Sequence, residues 1–244
     1  LDRMKNLKIG IVGHGFVGQA VDYGFSVNVE KKIIDPKYNS TIQDLVRFDP
    51  DVIFICVPTP MSDSGAIDCS IILDVISEIS DKKISAIVVV KSSITPSKLK
   101  DCASTISHLV YNPEFLTERN ANYDFINPPI LVIGGSKSDC EYIKKIHDEN
   151  SVCNECPVFF TDIYTASLVK YTLNSFLATK VLFMNEIYKI FQATDTSTKW
   201  DDFTNILQAD PRMGNSHLKV PGPDGKLGFG GACFPKDLAA IIAY

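Results

Sequence analysis

Cys233 closes a glycine-rich run, Gly228-Phe229-Gly230-Gly231-Ala232-Cys233, and is followed at once by Phe234-Pro235-Lys236-Asp237. Glycines let another molecule come close to the backbone, and Pro235 suits the first turn of a helix. A thiol at a helix N-terminus and beside Lys236 is expected to have a lowered pKa, which makes it a nucleophile. Asp237, four residues after the cysteine, is placed to orient or deprotonate a reacting hydroxyl or a water. Lys170 and Asn174 are also four residues apart, in an otherwise apolar stretch, so on a helix they share one face. An ammonium and an amide there suit developing oxyanion charge. Taken singly, each has an ordinary explanation. A loop cysteine is usually a small buried hydrophobe, such a lysine usually snorkels, and a first-turn aspartate stabilises its helix.

A second constellation lies near the N-terminus. Gly13-His14-Gly15-Phe16-Val17-Gly18 follows an apolar run and precedes a helical pattern, the context in which G-x-G-x-x-G cradles a dinucleotide. The first glycine makes the turn, the second admits a pyrophosphate, and the third lets helix and strand pack closely. Asp35 ends the next apolar run, 17 residues after Gly18. A carboxylate there accepts from a ribose 2′-hydroxyl and repels a 2′-phosphate, favouring NAD over NADP. Lys37 leaves that preference open.

The elements that must position these residues can be read from periodicity. Seven short apolar runs occur at Lys8–Gly13, Lys32–Asp35, Asp51–Val57, Ala86–Lys91, His108–Tyr111, Ile130–Gly134 and Pro157–Thr161. They are rich in Val and Ile without alternation, as in strands buried on both faces. Helical patterns separate them at Phe16–Phe25, Ile42–Arg47, Ile71–Ser80, Pro96–Ile106 and Ser138–Glu149. This alternation predicts an α/β fold, an N-terminal Rossmann doubly wound parallel sheet over residues 1–161. Residues 162–244 then hold a long central helix at Tyr164–Gln192, a shorter one at Lys199–Gln208, a Gly/Pro-rich stretch and a helix from near Pro235. They are expected to form a small helical domain. The long helix is apolar around much of its circumference, which suggests packing on several sides, a second subunit included.

Composition narrows the partners. The 244 residues carry a net charge of -5, which argues against nucleic acid or an anionic membrane. No apolar run approaches the roughly 20 residues of a membrane span, and Leu1–Lys8 lacks the apolar centre of a signal peptide. Seven scattered cysteines read as reduced cytoplasmic thiols. Cys153 and Cys156 form a lone CxxC without the second ligand pair that zinc requires, so no metal is expected.

Several segments together resemble the UDP-glucose/GDP-mannose dehydrogenase family. They are Val57-Pro58-Thr59-Pro60, Lys91-Ser92-Ser93-Ile94-Thr95-Pro96, Asn112-Pro113-Glu114-Phe115-Leu116, Lys170 with Asn174 followed by Asn185-Glu186, and the cysteine segment. They fall in the family's order over nearly the whole chain. The resemblance implies NAD-dependent oxidation of the primary 6-hydroxyl of a nucleotide sugar to a carboxylate, UDP-glucose first, with GDP-mannose or a UDP-N-acetyl sugar as alternatives. It implies catalytic roles for Cys233, Lys170, Asn174, Asp237 and Glu114, the last assisting thioester hydrolysis. It adds Val57, Pro58, Thr59, Ser93, Glu118 and Lys236 to the cofactor contacts Gly13, Gly15, Phe16, Val17, Gly18 and Asp35, with Glu118 also near the sugar. It gives Phe115, Leu116, Arg212, Lys219, Phe229, Gly230 and Phe234 to the substrate, Arg212 across the interface of a homodimer.

The family pattern is not followed throughout. Arg119 stands where Gly is usual, Ser167 where Glu is usual, and Ala232 where Ser is common. The Val220–Lys226 stretch is long, His217 lies nearby, and the family's further nucleotide-gripping domain after the cysteine segment is expected to be missing. A 3-hydroxy-acid or phosphogluconate type dehydrogenase shares the nucleotide domain and long helix but requires no cysteine. A partner-dependent or non-catalytic NAD-binding fragment is the reading from another class.

Overall fold

The computed structural model describes residues 6–62, 64–231 and 233–244. Part of the N-terminal segment, residues 1–5, and the Ala232 departure lie outside the described residues. The chain forms two compact units, one of Leu1–Lys170 with Tyr244 and another of Tyr171–Ala243.

The first unit is built on one seven-stranded sheet, in the order β2-β1-β3-β4-β5-β6-β7. Its strands are β1 (Leu7–Val12), β2 (Val29–Ile34), β3 (Val52–Ile55), β4 (Ile87–Val90), β5 (Leu109–Tyr111), β6 (Leu131–Gly134) and β7 (Val158–Thr161). Between them run α1 (Phe16–Gly24), α2 (Ile42–Phe48), α3 (Ser70–Asp81), α4 (Pro96–Thr105), α5 (Ala121–Ile126) and α6 (Lys137–Asn150). The absence of alternation has a direct cause. Ile53 and Ile55 pack on one face with Leu45, Ile72 and Ile76. Val52 and Phe54 pack on the other with Val21, Phe25 and Ile143. Successive side chains leave opposite faces and each face has its own helices, so, unlike β2 at the sheet edge with its exposed Glu30 and Lys31, β3 is apolar at every position. Each such side chain fully buried contributes ~1.5–3 kcal/mol.

Strand order reverses between β1 and β3, which places a crevice at their carboxyl ends. Ladders from β2 through β5 are parallel. β6 departs from the expected all-parallel sheet: it runs antiparallel to β5 through the single pair Tyr111–Gly134, and β7 runs parallel to β6. The thin ladder is reinforced by a side chain, since Asn112 Nδ2 donates to the Val132 carbonyl at 2.7 Å.

Close approach of helix and strand needs the third glycine of the N-terminal run. A Cβ on Gly18 would stand 2.0 Å from the Gly13 carbonyl oxygen, and one on Gly13, whose φ is +87°, would stand 2.7 Å from that of Cys56.

α7 (Ile163–Ala193) has 31 residues, about 46 Å at ~1.5 Å per residue. Its first turns belong to the sheet unit, where Ile163 and Ala166 join the core. The second unit contains the rest of α7, α8 (Trp200–Gln208) and α9 (Phe234–Ala243). A small cluster of Met184, Leu218 and Val220, flanked by Tyr188, Trp200, Leu207 and Met213, fills it.

His147 on α6 is buried against Phe25, with ring centroids 4.8 Å apart. Burial first, then the charges of Lys91 and Lys144, push it down to about 3. An unfolded histidine titrates near ~6.5, so between that value and about 3 the unfolded chain binds the extra proton. Stability is therefore full above pH ~6.5 and falls as pH drops through this window, by up to ~1.4 kcal/mol per pH unit. Urea midpoints measured from pH 7 to 4.5 are expected to fall along this slope and to flatten in His147→Phe. Equal slopes in both proteins would refute the assignment.

Candidate active site

The turn after β1 is held from below. The backbone N–H of His14 donates to Asp35 Oδ2 at 2.7 Å, and that of Lys37 to Asp35 Oδ1 at 3.0 Å. Burial pushes the Asp35 carboxyl up, but these N–H donors and the Lys37 charge outweigh it and hold the group below its usual range. Asp35 is thus a fixed anion beside the glycine turn. Lys37 Nζ donates back to the His14 carbonyl at 2.5 Å, and Tyr38 Oη lies 3.0 Å from His14 Nδ1. A Cβ on Gly15, at the head of α1, would meet nothing within 4 Å. The open backbone at a helix N-terminus fits a pyrophosphate, and the neighbouring carboxylate fits a ribose diol. The His14 ring is held on its other side as well, with Nε2 3.3 Å from Asp22 Oδ2.

At the carboxyl ends of β3, β4 and β5 the backbone is stitched by side chains. Ser92 Oγ donates to the Val57 carbonyl at 2.7 Å. Lys91 Nζ donates to the Asn112 carbonyl at 3.1 Å and to Asn112 Oδ1 at 2.8 Å. Burial pulls this ammonium down to about 8, against the opposing influence of Cys56 and Glu114. Val57, Thr59 and Ser93 are buried here, and Pro58 is exposed. Lys91, Ser92 and Asn112 stand in the sequence as parts of motifs; their work, fixing the strand-end loops to one another, is visible only in three dimensions.

Glu114 follows β5. Its Oε1 accepts from Lys170 Nζ at 2.8 Å and its Oε2 from the Leu116 N–H at 2.7 Å. Lys170 Nζ also donates to the Glu114 carbonyl at 2.5 Å and lies 5.5 Å from the centroid of Phe115. Both charged side chains are almost fully buried, 3% and 6% exposed. Glu118, in contrast, sits on an exposed 3-10 turn, Glu118–Asn120.

In the second unit, the Asp237 N–H donates to the Cys233 carbonyl at 2.8 Å, which sets the half-buried Cys233 at the head of α9. The Asp237 side chain is 0% exposed. Its Oδ2 accepts from Asn174 Nδ2 at 2.6 Å and its Oδ1 from Lys236 Nζ at 2.8 Å. Lys236 is thereby engaged with Asp237. Asn185 Oδ1 accepts from the Gly228 N–H at 2.9 Å and anchors the glycine run, a role its motif did not reveal. Gly228 and Gly231 have φ of +83° and +80°, which a side chain would strain. Phe234 packs against Phe229 and against His217, with ring centroids 6.4 and 5.5 Å apart. Arg212 is exposed and paired with Asp210, and Lys219 is exposed.

Burial raises the thiols of Cys153 and Cys156. Among the described residues no group of three or more His, Cys, Asp or Glu could hold a metal ion. No described helix is long and apolar enough to cross a membrane.

Residues 37–150 match the NAD binding domain of the UDP-glucose/GDP-mannose dehydrogenase family, and residues 164–244 match its central domain. The chain belongs to the UDP-glucose/GDP-mannose dehydrogenase family. It is 33% identical over 215 residues to a UDP-glucose 6-dehydrogenase of Rickettsia felis, covering 84% of this chain and 44% of that protein. Among solved structures, a UDP-glucose dehydrogenase from Pyrobaculum islandicum superposes with a TM-score of 0.71 at 25% identity, covering 100% of this chain and 65% of that one. A UDP-D-ManNAc dehydrogenase from Pyrococcus horikoshii superposes with a TM-score of 0.77 at 19% identity, covering 97% and 64%; this second likeness shows the fold alone. The chain spans 30% to 62% of the length of the first four curated relatives it matches. As a family member with this NAD-binding domain, it takes NAD as cofactor. The Asp35–glycine turn arrangement fits that group.

Two outcomes follow from the geometry. Asp35→Asn keeps an acceptor but loses the charge, so NAD binding should weaken about tenfold, ~1.4 kcal/mol, and discrimination against NADP should narrow. Calorimetric titration of both nucleotides checks this; unchanged affinities would count against the assignment. Lys170→Met leaves the Glu114 carboxylate buried without its cation, which should cost ~3–5 kcal/mol. Adding Glu114→Gln should recover part of the loss in urea denaturation, and a double variant no more stable than the single one would show that the pair is not the cause.

Proposed function

We propose that this chain is the NAD-binding and catalytic part of a nucleotide-sugar 6-dehydrogenase that oxidises UDP-glucose to UDP-glucuronate. In this reading, residues 1–161 bind NAD, and residues 162–244 form the central domain that carries the catalytic cysteine. The observation that carries the reading is the head of α9. There the carbonyl of Cys233 receives the Asp237 N–H, and the wholly buried Asp237 carboxylate is aimed by Asn174 and Lys236. A nucleophile and a base one helical turn apart, behind an open glycine run, is an arrangement for covalent catalysis.

NAD, when bound, accepts the hydride in each of the two oxidations. The protein's residues do the rest. Asp237 receives the proton of the 6-hydroxyl as the alcohol becomes an aldehyde. The Cys233 thiolate adds to the aldehyde carbon, and the resulting thiohemiacetal is oxidised to a thioester. Lys170 and Asn174 stabilise the oxyanions by charge and hydrogen bonding. Glu114 orients and deprotonates the water that splits the thioester. Phe115, Leu116, Lys219, Phe229, Gly230 and Phe234 shape the sugar-nucleotide site. Phe176, Phe183 and Ile190 on α7 are 64%, 57% and 63% exposed, which supports a homodimer through this helix with Arg212 of each protomer serving the other. The protein works in the cytoplasm, where its thiols stay reduced.

Absorbance at 340 nm with NAD and a panel of UDP-glucose, GDP-mannose and UDP-N-acetyl sugars tests this. The expected result is two NADH per UDP-glucose, abolished in Cys233→Ala. NAD binding without turnover on any sugar nucleotide would favour a partner-dependent or non-catalytic fragment instead.

A further inference from the structure

A cavity of about 540 Å³ lies within the sheet unit. Its lining passes from exposed Asp148, Asn154 and Glu155 to buried Lys91, Glu114 and His147. It therefore connects the surface near α6 and the segment before β7 with the carboxylate that follows β5. The volume is many times the ~30 Å³ share of one water molecule.

The buried end is set up to bind water. His147 is 7% exposed, yet its Nε2 has no hydrogen-bond partner. Leaving such an atom unsatisfied costs ~1–3 kcal/mol, and buried groups of this kind normally bond ordered water. Lys91 Nζ gives two of its three donors to Asn112 and keeps one. Each Glu114 oxygen accepts one hydrogen bond, from Lys170 or from the Leu116 N–H, and retains acceptor capacity. Because burial holds His147 neutral down to about 3, its ring nitrogen orders water without adding charge.

We propose that this cavity is the supply route for hydrolytic water, delivering it to Glu114 through the buried side of the sheet unit. The proposal rests on the reading of Glu114 given under the proposed function. That chemistry makes conflicting demands. Both oxidations need a site from which bulk water is excluded, whereas the last step consumes one water. A cavity whose wall is partly apolar, with Phe115, Leu116 and Phe125, and which carries Lys91, Glu114 and His147 among its lining, satisfies both. In the step itself, the water oxygen forms the new C–O bond and the C–S bond to Cys233 breaks. One water proton passes to Glu114 and on to the departing thiolate. The carboxylic acid then releases the other proton to solvent.

Cys156→Trp tests the route, because Cys156 is half-buried, lines the cavity and has no part in the proposed chemistry. NADH formation is followed with NAD and UDP-glucose in the protein and in Cys156→Trp, Cys156→Ser and, as a second filler, Val158→Phe. Circular dichroism and NAD titration establish that each variant is folded. The expected result for the fillers is a burst of two NADH per subunit within twofold of the unmodified rate, then turnover at least tenfold slower. Mass spectrometry of quenched samples should find Cys233 carrying the acyl nucleotide, and Cys156→Ser should match the unmodified protein. Folded fillers that turn over normally without acyl-enzyme overturn the proposal, as do fillers that lose the burst itself. An unmodified protein that makes no NADH overturns the underlying activity, and the water route with it.

Discussion

The arrangement at the sheet's carboxyl edge depends on the buried pair of Lys170 and Glu114. Removing an ammonium and a carboxylate from water costs several kcal/mol each, which mutual attraction offsets only with good geometry and further hydrogen bonds. Such bonds are present: Lys170 Nζ also donates to the Glu114 carbonyl, and Glu114 also accepts from the Leu116 N–H. The pair therefore tolerates little displacement, and α7 must begin in one place. Asp162 receives the N–H groups of Tyr164 and Thr165. Ser167 Oγ donates to the Ile94 carbonyl at 2.7 Å. A Cβ on Gly134 would stand 2.7 Å from the Asp162 carbonyl. Each contact pins the first turns of α7 to a different loop of the sheet. Serine at 167, where the family usually has Glu, thus has a definite structural use.

Much of the fold was legible because the central strands are buried on both faces. A run such as Val52–Ile55 has no solvent side to break the apolar pattern, so the central strands could be read within a few residues, whereas in β2 the exposed Glu30 and Lys31 hid its first half. Strand direction was not legible. Nothing in the composition of Leu131–Gly134 distinguishes an antiparallel neighbour from a parallel one, and the single ladder pair to Tyr111 is supplemented by Asn112, whose role depends on Val132. α5 was missed because six residues, Ala-Asn-Tyr-Asp-Phe-Ile, are too few to show a helical period. Its place is set by Phe125, whose ring would lie 2.2 Å from a Cβ on Gly24.

The site was legible as residue types more than as partnerships. Spacing put Lys170 and Asn174 on one face of a helix. It gave no hint that Lys170 would be committed to Glu114 and Asn174 to Asp237, since those partners lie 56 and 63 residues away along the chain. The same holds for Asn185, four residues beyond Val181 and by its spacing an ordinary helix amide. Its Nδ2 does bond Val181, but its Oδ1 is what holds the glycine run ahead of Cys233. Long-range hydrogen bonds of this kind leave no periodic trace.

Lys37 shows how a neighbouring charge can be neutralised as a source of ambiguity. A lysine two residues from Asp35, the carboxylate proposed to meet the ribose, is, by composition, a candidate for a 2′-phosphate. In the fold its ammonium is turned onto the His14 carbonyl, while its own backbone N–H supports Asp35. Both bonds brace the glycine turn, and the Lys37 N–H and charge favour the ionised carboxylate. A 2′-phosphate arriving there would meet a fixed anion at close range, and Lys37 would have to break a backbone hydrogen bond to reach it. In the reading of Asp35 as the ribose partner, discrimination against the phosphate would come from where Lys37 is held, and the carboxylate it supports would do the repelling.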